Sequence, residues 1–587
     1  MLFPTTEILL ETTSSIIGNP SAGGQATWRE VVADEGVICY YRMDMHRYRF
    51  FPIAAVLVIL SALVGGVWGH SALATEDKLL EQFNVYTRAL DAVETEYVQK
   101  LPSDRLVYSS ISGMLQTLDP HSTFLDPKYY AQLRERQEGH YYGLGISISL
   151  VDGQIQVISL FEGSPAYKKG IRRGDVIAKI EGVSTEGWTT DQAVGKLKGP
   201  KNTFVHVSLK RPGHDDLIEM DVMRDDIRIP SVTAAFMVNG DTGYIRLQEF
   251  AENTDDELGR SLENLSSKGM KRLVLDLRNN PGGPLDQAIR VANRFLPQGD
   301  MIVYTRGRVA NSDAEYRATE KSPFTQIPLL VLVNRSSASA SEIVSGALQD
   351  HDRAYIVGET TFGKALVQSV YRISNNAGLA LTTARYYTPS GRLIQRPWDG
   401  TFDEYLNDYG LKDQTAPRTH PATELKYTDA KRKVYGGGGI EPDKLFQGPI
   451  EGFKPTQFGR TLYYRQLFAE FSERFVAKGD TRIVPAKDAH VVSRGFVVDE
   501  GIMRDFRDFI ASRKPPVRID ETAFAQDGEF IRAMIHFEVD NALFGLDEAR
   551  RNLVAKDPQA QFGLGLLPEA EKLALLQKGR GIKAGAH

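Results

Sequence analysis

Serines 336, 337, 339 and 341 crowd the start of SSASASEIVSGALQD (336–350), between an apolar run and a segment with helical spacing. A hydroxyl is a weak nucleophile until a neighbouring base takes its proton. The chain offers such a base in GETTFGKALVQ (358–368), where Lys364 follows a glycine in a largely apolar setting. Apolar burial disfavours an ammonium and lowers a lysine's pKa, which makes a base near neutrality. A serine beside such a lysine is a hydrolytic pair. The same serines have a plainer use, because Ser is favoured at helix N-caps and small residues pack tightly between helix and sheet. These residues alone leave both readings open.

The elements that must position them follow from periodicity. RLVLDLR (272–278) reads as a buried strand that runs through NNPGG (279–283) into a helix with Pro284 in its first turn. IPLLVLV (327–333) is a second such strand and opens through NRSSAS into the helix ASEIVSGALQD. Loops at the carboxyl ends of strands are where α/β sheets place their sites. Two helix N-termini are therefore expected to converge.

Upstream, from Tyr141 to Arg224, the period changes to alternation: GISISLVDGQIQVISL turns at Asp152-Gly153, VIAKIEGV and FVHVSLKR are further strands, and DQAVGKLKG is a short helix. YGLGISI followed by GSPAYKKGIRRGDVIAKIEGV resembles a PDZ domain. The resemblance implies that backbone N–H groups of Gly143, Leu144, Gly145 and Ile146 receive a peptide's terminal carboxylate while the peptide adds a strand to the sheet edge. Glycines let the backbone approach an anion closely. Ahead of this domain, LLEQFNVYTRALDAVETEYV and LVYSSISGMLQTL have helical spacing, and DPHSTFLDP (119–127) enforces a turn.

At 587 residues, 42% hydrophobic and 25% charged, the chain has room for about three or four ordinary globular domains. A net charge of -5 implies no nucleic-acid partner. HRYRF, the apolar run through Trp68 and SALA (71–74) read as a secretory signal, with Thr75 starting the mature chain. Left uncleaved, residues 50–68 would be the one membrane anchor, in the inner membrane. Cys39 lies upstream, so the exported product has no thiol. Residues 1–42 are expected to be disordered or to precede a true start at Met43 or Met45. His121, His206, His351 and His420 lack ligand spacing and read as surface or satisfied histidines, so no metal is expected. No P-loop or dinucleotide fingerprint is present, and no cofactor is expected.

Taken together, LDPHSTFL, the PDZ signature, RIPSV, DLRNNPGG, SASASEI, GETTFGKALVQ, YYTPSGRLIQ and YGGGGIEPD run in order from Leu118 to Asp443. The series resembles the C-terminal processing peptidases, or tail-specific proteases. That resemblance implies an α/β multidomain fold: N-terminal helices, a PDZ-like small β-barrel, a crotonase/ClpP-like protease core and a C-terminal helical region. The expected layout is signal or anchor 43–74, helices 75–138, PDZ 139–224, protease 225–450 and C-terminal helices with a disordered tail 451–587. It implies Ser339 as nucleophile, Lys364 as base and Gln368 completing a triad, with an oxyanion hole from Ala340, Gly282 and Gly283. Ser337 and Ser341 are left to capping and packing. Two positions depart from the family pattern: Ala365 stands where glycine is common, and Lys198 replaces an arginine thought to couple PDZ and protease.

The expected function is that of an exported, periplasmic or cell-envelope serine endopeptidase that engages unstructured or C-terminal protein segments. The alternative is a catalytically silent PDZ scaffold. The amphipathic helices after Phe453 are expected to pack on the protease or to form a homo-oligomer interface.

Overall fold

A computed structural model describes residues 79–584 apart from 152, 162, 212–213, 374–375, 399–404, 406–418, 478–491 and 514–516. The signal, its Thr75 boundary and residues 1–42 lie outside the described residues. The chain divides into two compact units, 1–101 and 102–587. The first contributes a described helix over 79–96 that exposes Leu80 and Phe83. No helix among the described residues is long and apolar enough to cross a membrane.

In the second unit, helices Ser103–Gln116 and Pro127–Glu138 flank the short strand Thr123–Leu125. The expected small β domain follows as a sheet whose main path begins at the edge strand Ile146–Val151 and continues through Gln154–Leu160, Val176–Ile180, Phe204–Lys210 and Ile218–Met223. The first two strands turn where expected, with Val151 opposite Gln154 and Gly153 at φ 78°. Helix Thr190–Leu197 closes the domain, started by a capping box between Thr189 and Gln192. The entering strand His140–Gly143 pairs antiparallel with the leaving strand Asp225–Arg228, so the domain hangs on a two-stranded neck.

The core around the serines is a six-stranded sheet, in the order Val232–Met237, Thr242–Leu247, Arg272–Asp276, Leu329–Val333, Tyr355–Gly358 and Lys444–Leu445. Its first pair is antiparallel and the rest are parallel. Alternate residues face two different layers. Leu273, Leu275, Val331 and Val333 pack with helices carrying Leu258, Val291, Ile343 and Ala347, whereas Val274, Leu330, Leu332 and Val357 pack with Val554, Ala560 and Leu567 from the C-terminal helices. Burial on both faces is why these strands read as unbroken apolar runs. The C-terminal helices are thus a structural layer of the protease sheet, the first of the two roles expected of them.

Those helices also carry an aromatic core of their own, in which Phe468 and Phe506 stack at 5.2 Å. Two long helical patterns are broken, one at Gln466 (φ 58°) and one at Gly545 (φ 88°). The final helix is Leu567–Ala584, in which Leu567, Ala570, Leu573 and Ala574 are buried. Buried charges stitch the layers together: Arg278 pairs with Asp276 and Asp557, while Arg246 and Arg550 both reach Glu451. Arg173 of the small β domain reaches Glu473 and Glu538 of the C-terminal helices, both at 3.1 Å.

A second sheet pairs Gly378–Tyr387 with Thr123–Leu125, Met301–Gly307 and the strand Leu366–Arg372, which begins two residues after Lys364 and carries Gln368.

Candidate active site

Strand Leu329–Val333 leads into a tight turn that ends at Ser339, the N-cap of helix Ala340–Asp350. Ser339 has φ 55° and ψ -111°, a region costly for a residue with a Cβ. Its neighbours hold it there. Ser337 Oγ donates to Leu277 O at 2.8 Å, Ser341 Oγ donates to Asn280 O at 3.1 Å, and Ala338 N–H donates to Asn280 O at 3.0 Å. The flanking hydroxyls therefore tie the serine turn to the segment from Leu277 to Asn280 that enters the NNPGG loop, in keeping with a packing role.

Lys364 arrives on the loop after strand Tyr355–Gly358, and one carboxylate joins it to the serine turn. Glu342 Oε2 accepts the backbone N–H of Ser339 at 2.8 Å and of Lys364 at 2.9 Å; Oε1 accepts Gly363 N–H at 2.6 Å and Thr361 Oγ1 at 2.5 Å. On the carbonyl side, the Tyr386 hydroxyl reaches Ser339 O at 3.2 Å and also donates to Lys364 O. Two side chains thus clamp both main chains. Burial holds the Lys364 ammonium below the usual lysine range, opposed by the charges of Glu342 and Asp119. Lys364 Nζ donates to Gln368 Oε1 at 2.8 Å, and no hydrogen bond links it to Ser339 Oγ in this state. Catalytic hydrogen bonds are often completed only when substrate binds.

The glycine pair is split by its partners. Gly282 N–H donates to Asn280 Oδ1 at 2.9 Å, so that donor is already engaged in this structure. Its missing side chain is what counts: a Cβ on Gly282 would lie 2.8 Å from Ala340 N and from Ser339 Cβ. The N–H groups of Gly283 and Ala340 have no partner among the described residues. Ala365 is fully buried, and its N–H donates to Gln395 Oε1 at 2.8 Å.

His121, expected to be a satisfied histidine, is that and more. Its ring meets the Tyr405 hydroxyl at 2.7 Å and Phe362 edge-on, while its carbonyl accepts Gln368 Nε2 at 2.5 Å. Burial, then the nearby Lys364 charge, bring its pKa down to about 4, so the ring is neutral. Glu342, Tyr386 and His121 are the residues that sequence reasoning missed.

In the small β domain, Gly145 sits at φ 77° and a Cβ there would strike Ser164 Cβ at 2.3 Å. The Leu144 and Gly145 carbonyls accept Ala166 N–H and Phe161 N–H, each at 3.0 Å, which fixes the loop. Strand Ile146–Val151 lies at the sheet edge. Lys198 pairs with Glu135 of helix Pro127–Glu138 and lies 4.6 Å from the Tyr141 ring centre, so it links the domain to the preceding helix. Among the described residues no cluster of His, Cys, Asp and Glu could hold a metal ion.

A PDZ domain joined to an α/β core with a serine and a buried lysine at its strand ends defines a class of serine peptidase. Residues 241–401 match peptidase family S41 and residues 132–210 match the PDZ domain. The carboxy-terminal-processing protease of Bartonella bacilliformis is 40% identical over 355 residues, covering 60% of this chain and 81% of that protein. The carboxy-terminal processing protease CtpA of Bacillus subtilis is 33% identical over 396 residues, covering 66% and 81%. The chain belongs to the carboxy-terminal processing proteases of family S41 and is a serine peptidase with a PDZ domain.

Proposed function

We propose that Ser339 is the nucleophile, Lys364 its base and Gln368 the residue that orients the base. The observation that carries this is the double clamp: Glu342 accepts both backbone N–H groups and Tyr386 reaches both carbonyls. Neutral Lys364 takes the Ser339 proton as Oγ attacks the scissile carbonyl. The oxyanion is met by the N–H groups of Ala340 and Gly283, and donors of this kind are worth ~10²–10³ in rate each. The lysine ammonium then protonates the leaving amine, and water opens the Ser339 ester with Lys364 again as base. A silent scaffold would have no use for a serine held at a strained φ beside a buried lysine. The reading is tested by incubating an unfolded protein with the chain and with its Ser339→Ala form, which should release no fragments.

Substrates in this reading are protein segments with accessible C-termini, captured by the PDZ domain. The Gly143-Leu144-Gly145-Ile146 backbone takes the carboxylate, and the peptide extends along the free edge of Ile146–Val151. An ionised terminus accepts several charge-assisted N–H bonds that an amide cannot match. Peptides with free apolar C-termini should therefore bind Ser339→Ala protein at least ~10-fold more tightly than their amidated twins in calorimetry. Equal affinities would remove the carboxylate from the account. The basic, apolar and small-residue pattern of 46–74 supports export to the periplasm or cell envelope.

A further inference from the structure

The turn at 119–122 touches the site at His121, and its own hydrogen bonds show what holds that residue there. Asp119 Oδ1 accepts the backbone N–H groups of His121 and Ser122, both at 2.8 Å, and Oδ2 takes Ser122 Oγ at 2.7 Å. The Ser122 hydroxyl in turn accepts Thr382 N–H at 3.1 Å, and Thr382 is the register partner of Gln368. The turn is thus fastened to the strand that carries Gln368's neighbour. From that anchorage the His121 carbonyl accepts Gln368 Nε2.

A carbonyl only accepts, so the Gln368 amide must turn its NH2 to His121 and its oxygen to Lys364. The direction decides whether the lysine can act. A neutral amine has one lone pair: donating an N–H to Gln368 leaves that pair free for the Ser339 proton. A flipped amide would donate into the lone pair and block it.

We propose that Asp119 is a positioning residue of the hydrolytic site, holding the His121 carbonyl that fixes the Gln368 amide and, through it, the direction of the Lys364 lone pair. This rests on the Ser339–Lys364 reading above. The charged groups facing Lys364 are the carboxylates of Glu342 and Asp119, both raising its pKa against burial, and the neutral hydroxyl of Tyr386 contacts its carbonyl. The neutral His121 ring stands between Lys364 and Arg396 in charge terms, lowered by both after burial, and bonds Tyr405.

The test is kcat and KM as a function of pH on fluorescently labelled unfolded casein. Asp119→Ala should lower plateau kcat by ~10–100-fold with KM changed less than ~3-fold, since misplacement by about 1 Å is worth about that much. Asp119→Asn keeps an acceptor for the turn and should recover most of kcat. It should still move the rising limb of the profile to lower pH, because a charge that raises the Lys364 pKa is gone. Ser122→Ala should lower kcat several-fold and leave the limb in place. A residue that merely supports the fold would reduce the folded fraction without moving the limb. Plateau kcat within ~2-fold of wild type in both Asp119→Ala and Ser122→Ala, or an unmoved limb in Asp119→Asn, overturns the proposal. Should Asp119→Ala not fold by circular dichroism, the Asp119→Asn limb and the Ser122→Ala kcat decide it. Failure of the underlying reading shows differently, as cleavage by Ser339→Ala.

Discussion

Lys364→Arg is expected to lose cleavage of an unfolded protein by about 10⁴-fold or more, as is Ser339→Ala. The substitution keeps a positive charge and a long stem, and it leaves untouched the backbone bonds of residue 364 to Glu342 and Tyr386. What it removes is the ability to be neutral, since a guanidinium stays protonated at any working pH. The protein should therefore fold and melt as wild type does while doing nothing to substrate. In the wild type, activity should rise with pH as Lys364 loses its proton, along a limb lying below the usual lysine range because the group is buried. Retention of more than about one per cent of activity in Lys364→Arg would sink the assignment of the base.

Glu342→Gln should have the next largest effect, lowering kcat by ~10²-fold although residue 342 touches no reacting atom. A glutamine has one accepting oxygen, and its NH2 must face either the Ser339 and Lys364 N–H groups or the Gly363 and Thr361 donors. Either way two buried donors lose their acceptor, at ~1–3 kcal/mol each. The pH dependence of folding separates this from a general loss of packing. Burial pushes the Glu342 carboxyl up to about 7 from an ordinary 4.5, against the bonds from Thr361, Lys364, Gly363 and Ser339. A raised carboxyl favours folding fully below the unfolded value, and that contribution fades as pH climbs to the folded value. Wild-type stability measured against Glu342→Gln should accordingly decline between pH 4.5 and about 7, by of order 3 kcal/mol. Activity should run the other way, because the clamp needs the ionised form. Chemical denaturation of both proteins across that range checks the sign, and a flat difference would contradict the buried charge.

The parts that were legible in the sequence are those whose physics is local. Buried strands announce themselves in RLVLD and LLVLV, and the hairpin at Asp152-Gly153 needs only alternation and a glycine. Ser339 and Lys364 stood out through a resemblance, and the fold does bring their main chains together. Glu342 was hidden because an acid three residues into a helix reads as a cap. Its other partners are backbone groups of Gly363 and Lys364, which no residue type advertises. The two glycines of NNPGG look equivalent as letters. Only the Asn280 side chain, which takes Gly282 N–H, tells them apart. Lys198 stands where the family pattern has an arginine, and that its partner is Glu135 of the preceding helix is a matter of tertiary placement. An amphipathic helix shows that it has a partner without naming it, so the role of Val554, Ala560 and Leu567 came only from the fold.

That last layer also orders events in time. Chains are made from the N-terminus, and the strands bearing Val274, Leu330, Leu332 and Val357 emerge long before the helices that cover them. Until residues 546–567 have been added, one face of the hydrolytic sheet is open to water, and Arg278 lacks Asp557. The serine turn hangs from that sheet through Leu277 and Asn280. A chain not yet complete to residue 567 therefore lacks the layer that buries one face of the sheet from which its serine turn hangs.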